Sequence, residues 1–484
     1  MSFVDHSREA ARWRIVLALS LLVGLTCRLV GLDRQGLWLD EGWSLWFATQ
    51  ADARGMLMEN HPPLYYGLLA GFAQVLQSDA ALRATGSLAS LLSAWIAYRL
   101  TMEVTASVRA ACLAAALLLL SSVDVMVARE LRMYPWMTAA YGACLWAWWR
   151  FARAATAGER RRAAAGALAA GIVLAYLHAV GIFFACAATL FGIRLGRDAR
   201  ARVIAASVGI LTAIAYLPWV ALSVLPRLGL MDAGLAWRPR PGLGQIMSTP
   251  LRWFVGADPL FGVPADHDAC ARALWAGLCH ALRMDGDLFH AARPALAFAG
   301  LLLAVLVALG VRRTWRHQAR PLAALAVATF VPVGLLLLLT LLVAPWFDVK
   351  YLAPAVLPAS CLIATIMASA RARTLAGGVA IALLAGMAVF AAGLPATGSF
   401  QQWREASEAL RARWQPGEPV ILDAIGPGAE LLLARYLDLP PDAPAFLSLR
   451  QYVPDNYRSA CEVRRGTCLD RFDDHALADA GDVA

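Results

Sequence analysis

The sequence contains a series of apolar runs that approach or reach the length needed to cross a lipid bilayer. Clear examples occupy residues 14–31, 110–122, 294–310, 322–343 and 374–392. About 20 consecutive apolar residues span the hydrocarbon core as an α-helix. Composition agrees, because the chain is 60% hydrophobic and 16% charged, whereas a soluble domain is about half apolar and about a quarter charged. The sequence therefore predicts an all-α membrane protein with several spans.

Arginines are concentrated in the short gaps between these runs, and this pattern predicts an orientation. Cytoplasmic loops of membrane proteins carry an excess of basic residues. The net charge of +9 is therefore attributed to topology, and no nucleic-acid partner is expected. The arginines in question are Arg8, Arg12, Arg14, Arg99, Arg109, Arg150, Arg153, Arg160, Arg161, Arg162, Arg194, Arg197, Arg200, Arg202, Arg312, Arg313, Arg316, Arg320, Arg371 and Arg373.

The resulting map places a transmembrane domain at residues 1–393, with about 11 membrane-spanning helices. Two long outer loops are expected at 33–82 and 224–293, and a small C-terminal extracytoplasmic tail, either helical or α/β, at 394–484. Residues 61–77 are interpreted as a helix in or on the outer half of the membrane, because another span there would invert every later arginine-rich gap. The spans are expected at 14–32, 83–100, 109–127, 134–151, two within 163–193 that break near Tyr176-Leu177-His178, 203–223, 294–311, 322–343, 352–370 and 374–393.

The nine cysteines are scattered, and most lie in apolar runs, where they are expected to be small core residues. Cys461 and Cys468 differ, because they flank the polar segment "CEVRRGTC". If the tail faces an oxidising compartment, these two are candidates for a local disulfide.

Unusual polar residues fall on the outer side of this map. Ionisable groups at membrane depth are costly, so their presence suggests function. Five separate parts of the chain contribute to this set: Asp40 and Glu41, Asn60 and His61, the segment Arg129, Glu130, Arg132 and Tyr134, then His178, and finally Asp348, Lys350 and Tyr351.

Some of these residues have a purely structural alternative. Asp40 could be the N-cap of a short helix at 41–50, since aspartate is favoured there, although this leaves Glu41 unexplained. His61 could be an ordinary loop residue before Pro-Pro, and His178 could be a core histidine with its hydrogen bonds satisfied.

The basic residues of the set also have two interpretations. Arg129 and Arg132 could bind lipid phosphate at headgroup level, with Glu130 paired to one of them. Lys350 is the only lysine in the chain, and all other residues among the 43 Lys and Arg are arginine. A lysine kept in such a chain suggests that a compact, flexible ammonium is needed, for example to bind a phosphate.

One reaction that needs both carboxylates and cations at the outer membrane face is the transfer of a sugar from a phospholipid carrier. A general base removes the proton of the acceptor hydroxyl as the new bond forms. Positioned Arg, Lys or a metal ion stabilises the charge that develops on the departing phosphate. A lipid-linked donor requires no soluble nucleotide-binding domain, and the sequence contains no Gly-rich phosphate loop.

Six motifs carry a resemblance to a known family: "WLDEGWS", "HPPLYYGLL", "ARELRMYPW", "YLHAVGIFFA", "LPWV" and "FDVKYLAPAVLP". Their order resembles that of the protein-mannosyltransferase-like membrane glycosyltransferases of the GT-C class. This family uses polyprenyl-phosphate sugars and includes the aminoarabinose transferases that modify lipid A. The resemblance covers about residues 14–440, including the start of the tail. Each motif alone is common, whereas their order and spacing are specific.

The resemblance implies a role for each matching residue. Asp40 resembles the general base, and Glu41 the supporting acid that holds an acceptor or a metal. His61 takes the place of a residue that faces the phosphate or lines the site. Glu130, Arg132 and Tyr134 match the second-loop motif, in which Arg132 would contact phosphate and Glu130 would be catalytic. His178 and Lys350-Tyr351 would contribute to substrate binding.

Two departures from the family pattern affect these expectations. Many relatives have Arg-Tyr where this chain has Lys350-Tyr351, so the charge is kept but a bidentate contact is lost. Asn60 stands where some relatives carry a metal-binding acid. A divalent metal ion is the one cofactor considered, with Glu41 and Glu130 as its candidate ligands.

The expected function is transfer of a monosaccharide from a polyprenyl-phosphate carrier to an envelope acceptor. The carrier is held in the membrane, so membrane lipid is a further expected partner. Lipopolysaccharide or lipid A, another glycan, a glycolipid and a protein all remain open as acceptors. The active site would face the periplasm or exterior of a bacterial inner membrane. The alternatives are a lipid-linked sugar transporter or flippase, a non-catalytic envelope assembly protein, and an acyl- or phosphotransferase. In the last of these, His61 or His178 would be the base or nucleophile in place of Asp40.

Overall fold

The computed structural model describes residues 3–34, 36–227, 240–254, 318–343, 345–368, 373–393, 402–415, 420–422, 427–438 and 446–448. Most of these residues are α-helical, as the apolar pattern predicts. The predicted span at 294–311 and the pair Cys461 and Cys468 lie outside the described residues.

The elements follow one another as a series of helices, and two short strands flank the last of them. The first half of the chain contains α1 (Phe3–Leu29), α2 (Leu39–Thr49), α3 (Ala53–Met58), α4 (Leu64–Ala73), α5 (Asp79–Thr105), α6 (Val108–Leu119), α7 (Ser122–Ala128), α8 (Tyr134–Arg153), α9 (Ala157–Leu177), α10 (Gly181–Leu195) and α11 (Ala199–Trp219). A π-helix (Val220–Val224) and a 3-10 turn (Leu225–Arg227) follow. The remaining elements are α12 (Leu243–Phe254), α13 (Gln318–Leu342), a 3-10 turn (Ala353–Ala355), α14 (Val356–Ala368), α15 (Arg373–Gly393), α16 (Trp403–Arg411), β1 (Val420–Leu422), α17 (Pro427–Leu437) and β2 (Phe446–Ser448).

Four helices among the described residues are long and apolar enough to cross a membrane: Glu9–Leu29, Asp79–Thr105, Ala199–Val224 and Gln318–Leu342. The pair α6 and α7, which is bent by 55°, adds a fifth if it forms one broken span. The chain is therefore an integral membrane protein. The predicted count of about 11 spans stays a prediction. Among the described residues, α10, α14 and α15 contain shorter apolar stretches of 10–17 residues.

Residues 61–77 do not form a spanning helix. Helix α4 begins directly after Pro62-Pro63 and has only ten residues. At 1.5 Å per residue it is about 15 Å long, roughly half the thickness of the hydrocarbon core. Its length therefore agrees with the interpretation of this segment as a non-spanning helix.

The predicted break near Tyr176-Leu177-His178 occurs at His178, between α9 and α10. His178 Nδ1 accepts a hydrogen bond from the Val180 N–H at 3.0 Å, so the side chain holds the turn. Gly181 begins α10 where a Cβ atom would lie 1.9 Å from the carbonyl oxygen of Leu174. Only glycine fits this close approach between the end of α9 and the start of α10.

A fully buried ion pair connects α1 to the first turn of α7. Arg28 Nη2 lies 2.6 Å from Asp124 Oδ2, and the two side chains are 0% and 1% exposed. The Arg28 guanidinium also donates to Ser90 Oγ at 2.9 Å and to the Leu119 carbonyl oxygen at 2.7 Å. Buried charges are tolerated only when paired and hydrogen-bonded, so this network fixes how the helices can pack.

We expect Asp124→Asn to destabilise the protein by about 3 kcal/mol, because the change leaves the Arg28 charge buried without its counter-ion. The apparent melting temperature in detergent would fall accordingly. Asp52→Asn is the matched control, since Asp52 caps α3 and asparagine caps equally well. The double variant Arg28→Met with Asp124→Leu should recover most of the loss. An unchanged melting temperature for Asp124→Asn would contradict the expectation.

The chain divides into two compact units. Unit 1 comprises residues 1–32, 80–217 and 238–398, and unit 2 comprises residues 33–79, 218–237 and 399–484. Unit 2 thus groups the first outer loop of the sequence map with the C-terminal tail. Within the tail, β1 and β2 pair in parallel, with Val420 opposite Phe446.

Candidate functional site

The adjacent acids Asp40 and Glu41 lie in the first turn of α2, in unit 2. Glu41 is fully buried, and its Oε2 accepts a hydrogen bond from the Trp38 N–H at 3.0 Å. Asp40 is partly exposed. The structural alternative in which Asp40 is the N-cap of a helix at 41–50 is wrong, because α2 begins at Leu39, Trp38 occupies the N-cap position and Glu41 supplies the capping carboxylate.

This arrangement gives the carboxylates of Asp40 and Glu41 different environments. Glu41 satisfies a backbone N–H that would otherwise lack a partner at the helix start, so a structural role accounts for its burial. Asp40 is the more exposed of the two residues. Acidic residues are also favoured in the first turn of a helix, so α2 can hold both side chains in place.

His61 lies beside a buried acid that the sequence analysis did not select. Glu59 Oε1 accepts a hydrogen bond from the Tyr66 hydroxyl at 2.9 Å, and His61 Nε2 lies 4.0 Å from the same oxygen. Ser223, in the π-helix, donates to the Glu59 carbonyl oxygen at 3.3 Å. The position of Glu59 two residues before "HPP" was the available signal, but nothing in the local sequence showed that it would be buried.

In unit 1, Glu130 and Lys350 form an ion pair although 220 residues separate them in the chain. Lys350 Nζ lies 2.7 Å from Glu130 Oε1, and Lys350 is only 4% exposed. Asp348 Oδ1 accepts the backbone N–H of Lys350 at 2.8 Å and so shapes the turn that presents it. The only lysine of the chain is therefore held close to the predicted second-loop acid.

Aromatic rings from three segments pack together in the same unit. The ring centroids of His178 and Tyr351 are 5.1 Å apart, those of Tyr134 and His178 5.6 Å, and those of Tyr134 and Tyr351 6.0 Å. The Arg132 guanidinium carbon lies 6.0 Å from the centre of the Tyr134 ring. His178 is fully buried, which agrees with the core-histidine alternative, and a substrate contact by His178 stays a prediction.

The Arg129 guanidinium bonds to the chain, and its contact with a lipid phosphate stays a prediction. It donates to the carbonyl oxygens of Cys27 and Val30, at 2.7 and 2.8 Å, and to that of Gly31 at 3.3 Å. A cation at a helix C-terminus is favourable. Arg129 therefore anchors the segment that carries Glu130 and Arg132 to the end of α1.

The predicted residues are distributed over both units. Unit 2 contains Asp40, Glu41 and His61, and unit 1 contains Glu130, Arg132, Tyr134, His178, Lys350 and Tyr351. Within the described ranges, no three His, Cys, Asp or Glu side chains are grouped as a metal site requires. Glu41 and Glu130 each bond to another group, so metal binding by either residue stays a prediction.

Neither the protein-family models nor the curated proteins include a match to the sequence. Solved structures do match. A crystal structure of ArnT from Cupriavidus metallidurans bound to undecaprenyl phosphate is similar over 95% of this chain and 90% of that chain, with a TM-score of 0.59 and 13% identity. The apo state of the same protein gives a TM-score of 0.61 and 14% identity, over 96% of this chain and 90% of that chain.

The chain has a GT-C fold. An oligosaccharyltransferase from Archaeoglobus fulgidus, in complex with Zn and sulfate, is also similar, with a TM-score of 0.50 and 14% identity. That match covers 83% of this chain and 56% of the archaeal one. The GT-C resemblance inferred from the order of the motifs is thus confirmed at the level of the fold.

Proposed function

We propose that this GT-C protein is a glycosyltransferase that moves a monosaccharide from a polyprenyl-phosphate carrier to an envelope acceptor, at the outer face of a bacterial inner membrane. The observation that carries the proposal is the buried Lys350, which is held by Glu130 next to Tyr351. Arg132 on the neighbouring segment supplies a second cation. The crystallised ArnT with the same fold binds undecaprenyl phosphate, the type of lipid that such cations would recognise.

In the proposed reaction, the oxygen of an acceptor hydroxyl attacks the anomeric carbon of the donor sugar. Asp40 accepts the hydroxyl proton as the new C–O bond forms. The bond between the anomeric carbon and the phosphate oxygen breaks, and the lipid phosphate leaves with the electron pair. Lys350 and Arg132 stabilise the negative charge that develops on this phosphate.

The other residues support these steps. Glu130 orients the Lys350 ammonium, and Glu41 fixes the start of α2 and hence Asp40. His61, beside Glu59, is assigned to the region that faces the donor phosphate, and Tyr134 and Tyr351 supply rings against which the donor can pack. Hexose and pentose donors are both compatible with this assignment. Lipopolysaccharide or lipid A, another glycan, a glycolipid and a protein are the acceptor classes to be tested.

The test is sugar transfer by the purified protein in lipid, with radiolabelled polyprenyl-phosphate hexoses and pentoses as donors and an envelope extract as acceptor. Soluble sugar nucleotides with the same sugars are the matched control donors. We expect transfer from at least one lipid-linked donor and none from the nucleotides. If a folded protein transfers nothing from any donor, the glycosyltransferase proposal fails, and the transporter and assembly alternatives take its place.

A further inference from the structure

Asp79, the first residue of α5 and the last residue of the 33–79 loop segment of unit 2, accepts three hydrogen bonds from the C-terminal tail. The donors are Arg435 Nε at 2.8 Å, Arg404 Nη2 at 3.1 Å and the Tyr436 hydroxyl at 2.7 Å. Asp79 is 7% exposed, so these charge-assisted bonds are only partly weakened by solvent. Burial, and next the Asp79 carboxylate, raise the pKa of the Tyr436 hydroxyl, which therefore stays protonated and able to donate. We call these four residues the base clamp.

The base clamp also holds the beginning of the same loop. The Tyr436 oxygen accepts a hydrogen bond from the Leu37 N–H, and Arg404 Nη1 donates to the carbonyl oxygen of Asp33. Two tail side chains thus connect the residues just before α2 with Asp79 at the far end of the loop. The tail closes the loop at its base.

The tail helix α17 also packs directly on α2, the helix that carries Asp40. A Cβ atom on Gly42 would lie 2.7 Å from Leu432 Cγ and 2.8 Å from the carbonyl oxygen of Gly428. A Cβ atom on Gly428 would in turn lie 2.9 Å from the backbone nitrogen of Trp43. The two backbones are therefore in contact, and a shift of α17 would displace α2.

We propose that the base clamp positions Asp40 for sugar transfer, and that Asp79 is its central positioning residue. This inference rests on the proposed function. A catalytic base must be held precisely, since a displacement of about 1 Å can reduce a rate by about a hundredfold. Loosening the clamp should therefore lower kcat. The KM for the donor should change less than kcat, because Arg132 and Lys350, the two cations proposed to hold the donor phosphate, belong to unit 1 and are not part of the clamp.

The experiment compares Asp79→Asn and Tyr436→Phe with the wild-type protein in lipid. Tyr436→Phe keeps the ring and removes only the hydroxyl, so it tests the clamp even if Asp79→Asn folds poorly. The matched control is Asp438→Asn, because Asp438 is an exposed acid that follows α17 directly. Two quantities are measured: amide hydrogen exchange in α2, which reports local opening, and kcat with donor KM.

We expect both clamp variants to exchange faster in α2 and to lose about tenfold or more in kcat, with donor KM within about twofold of the wild-type value. Asp438→Asn should match the wild type in both measurements. Faster exchange with an unchanged kcat would overturn the positioning role, and unchanged exchange would overturn the clamp itself. If the wild type transfers no sugar, the proposed function fails, while hydrogen exchange still decides whether the clamp holds α2.

Discussion

Asp40→Asn is expected to reduce kcat for sugar transfer by about 10²–10⁴-fold, the range typical for loss of a general base. Asparagine has nearly the same shape but cannot take up the acceptor proton. Asp40 is partly exposed, and Glu41 caps α2, so the helix should keep its position. The donor KM should change little, because the donor phosphate is assigned to other residues. The measurement is steady-state transfer with the lipid-linked donor identified in the panel.

The adjacent acid provides the sharpest comparison for this prediction. Glu41→Gln keeps an acceptor for the Trp38 N–H but removes a buried charge. It should therefore change the free energy of unfolding more than it changes kcat for sugar transfer. Asp52→Asn, in the same loop, is the neutral control, since asparagine still caps α3. Wild-type rates for a folded Asp40→Asn protein would exclude Asp40 as the base, and Glu59 would become the next carboxylate to test in this unit.

Most of the helical framework could be predicted from the sequence, because the length of an apolar run and the residues at helix ends depend only on residues that are close together in the chain. The break at His178 was predicted from a long apolar run interrupted by polar residues, and Pro62-Pro63 marked the start of α4. The division of roles between Asp40 and Glu41 was harder to predict. It depends on whether α2 begins at residue 39 or 41, and a difference of two residues decides which carboxylate becomes the cap.

The ion pairs between residues far apart in the chain could not be predicted from the sequence. Arg28 and Asp124 are 96 residues apart, and Arg404 and Asp79 are 325 residues apart. Arg28 lay at the end of an apolar run, where it resembled the many arginines that mark membrane edges. Whether such a residue faces lipid or pairs inside the protein is decided by packing, which pattern analysis of one sequence does not reveal.

Lys350→Gln is expected to lower kcat/KM for the donor by about 10²–10³-fold, as for loss of one preorganised donor to a developing anion. Lys350 is buried and is the only lysine, so no neighbouring lysine can replace its ammonium. Lys350→Arg should recover activity only in part. It restores the charge, but the site is shaped around one Nζ that lies 2.7 Å from Glu130, and a planar guanidinium has a different geometry.

A double-mutant cycle then tests whether Glu130 acts through Lys350. Glu130→Gln alone should weaken donor binding and transfer, because the ammonium loses the carboxylate that orients it. In the Lys350→Gln background the same change should cost little, since its partner is already absent. Contacting residues show such non-additivity, whereas distant independent sites do not. Equal losses from Glu130→Gln in both backgrounds would mean that Glu130 works independently of Lys350, which would favour the direct catalytic role that the family resemblance implies. Melting temperatures of all four proteins separate this coupling from effects on folding, because removing one member of a buried pair also destabilises the protein.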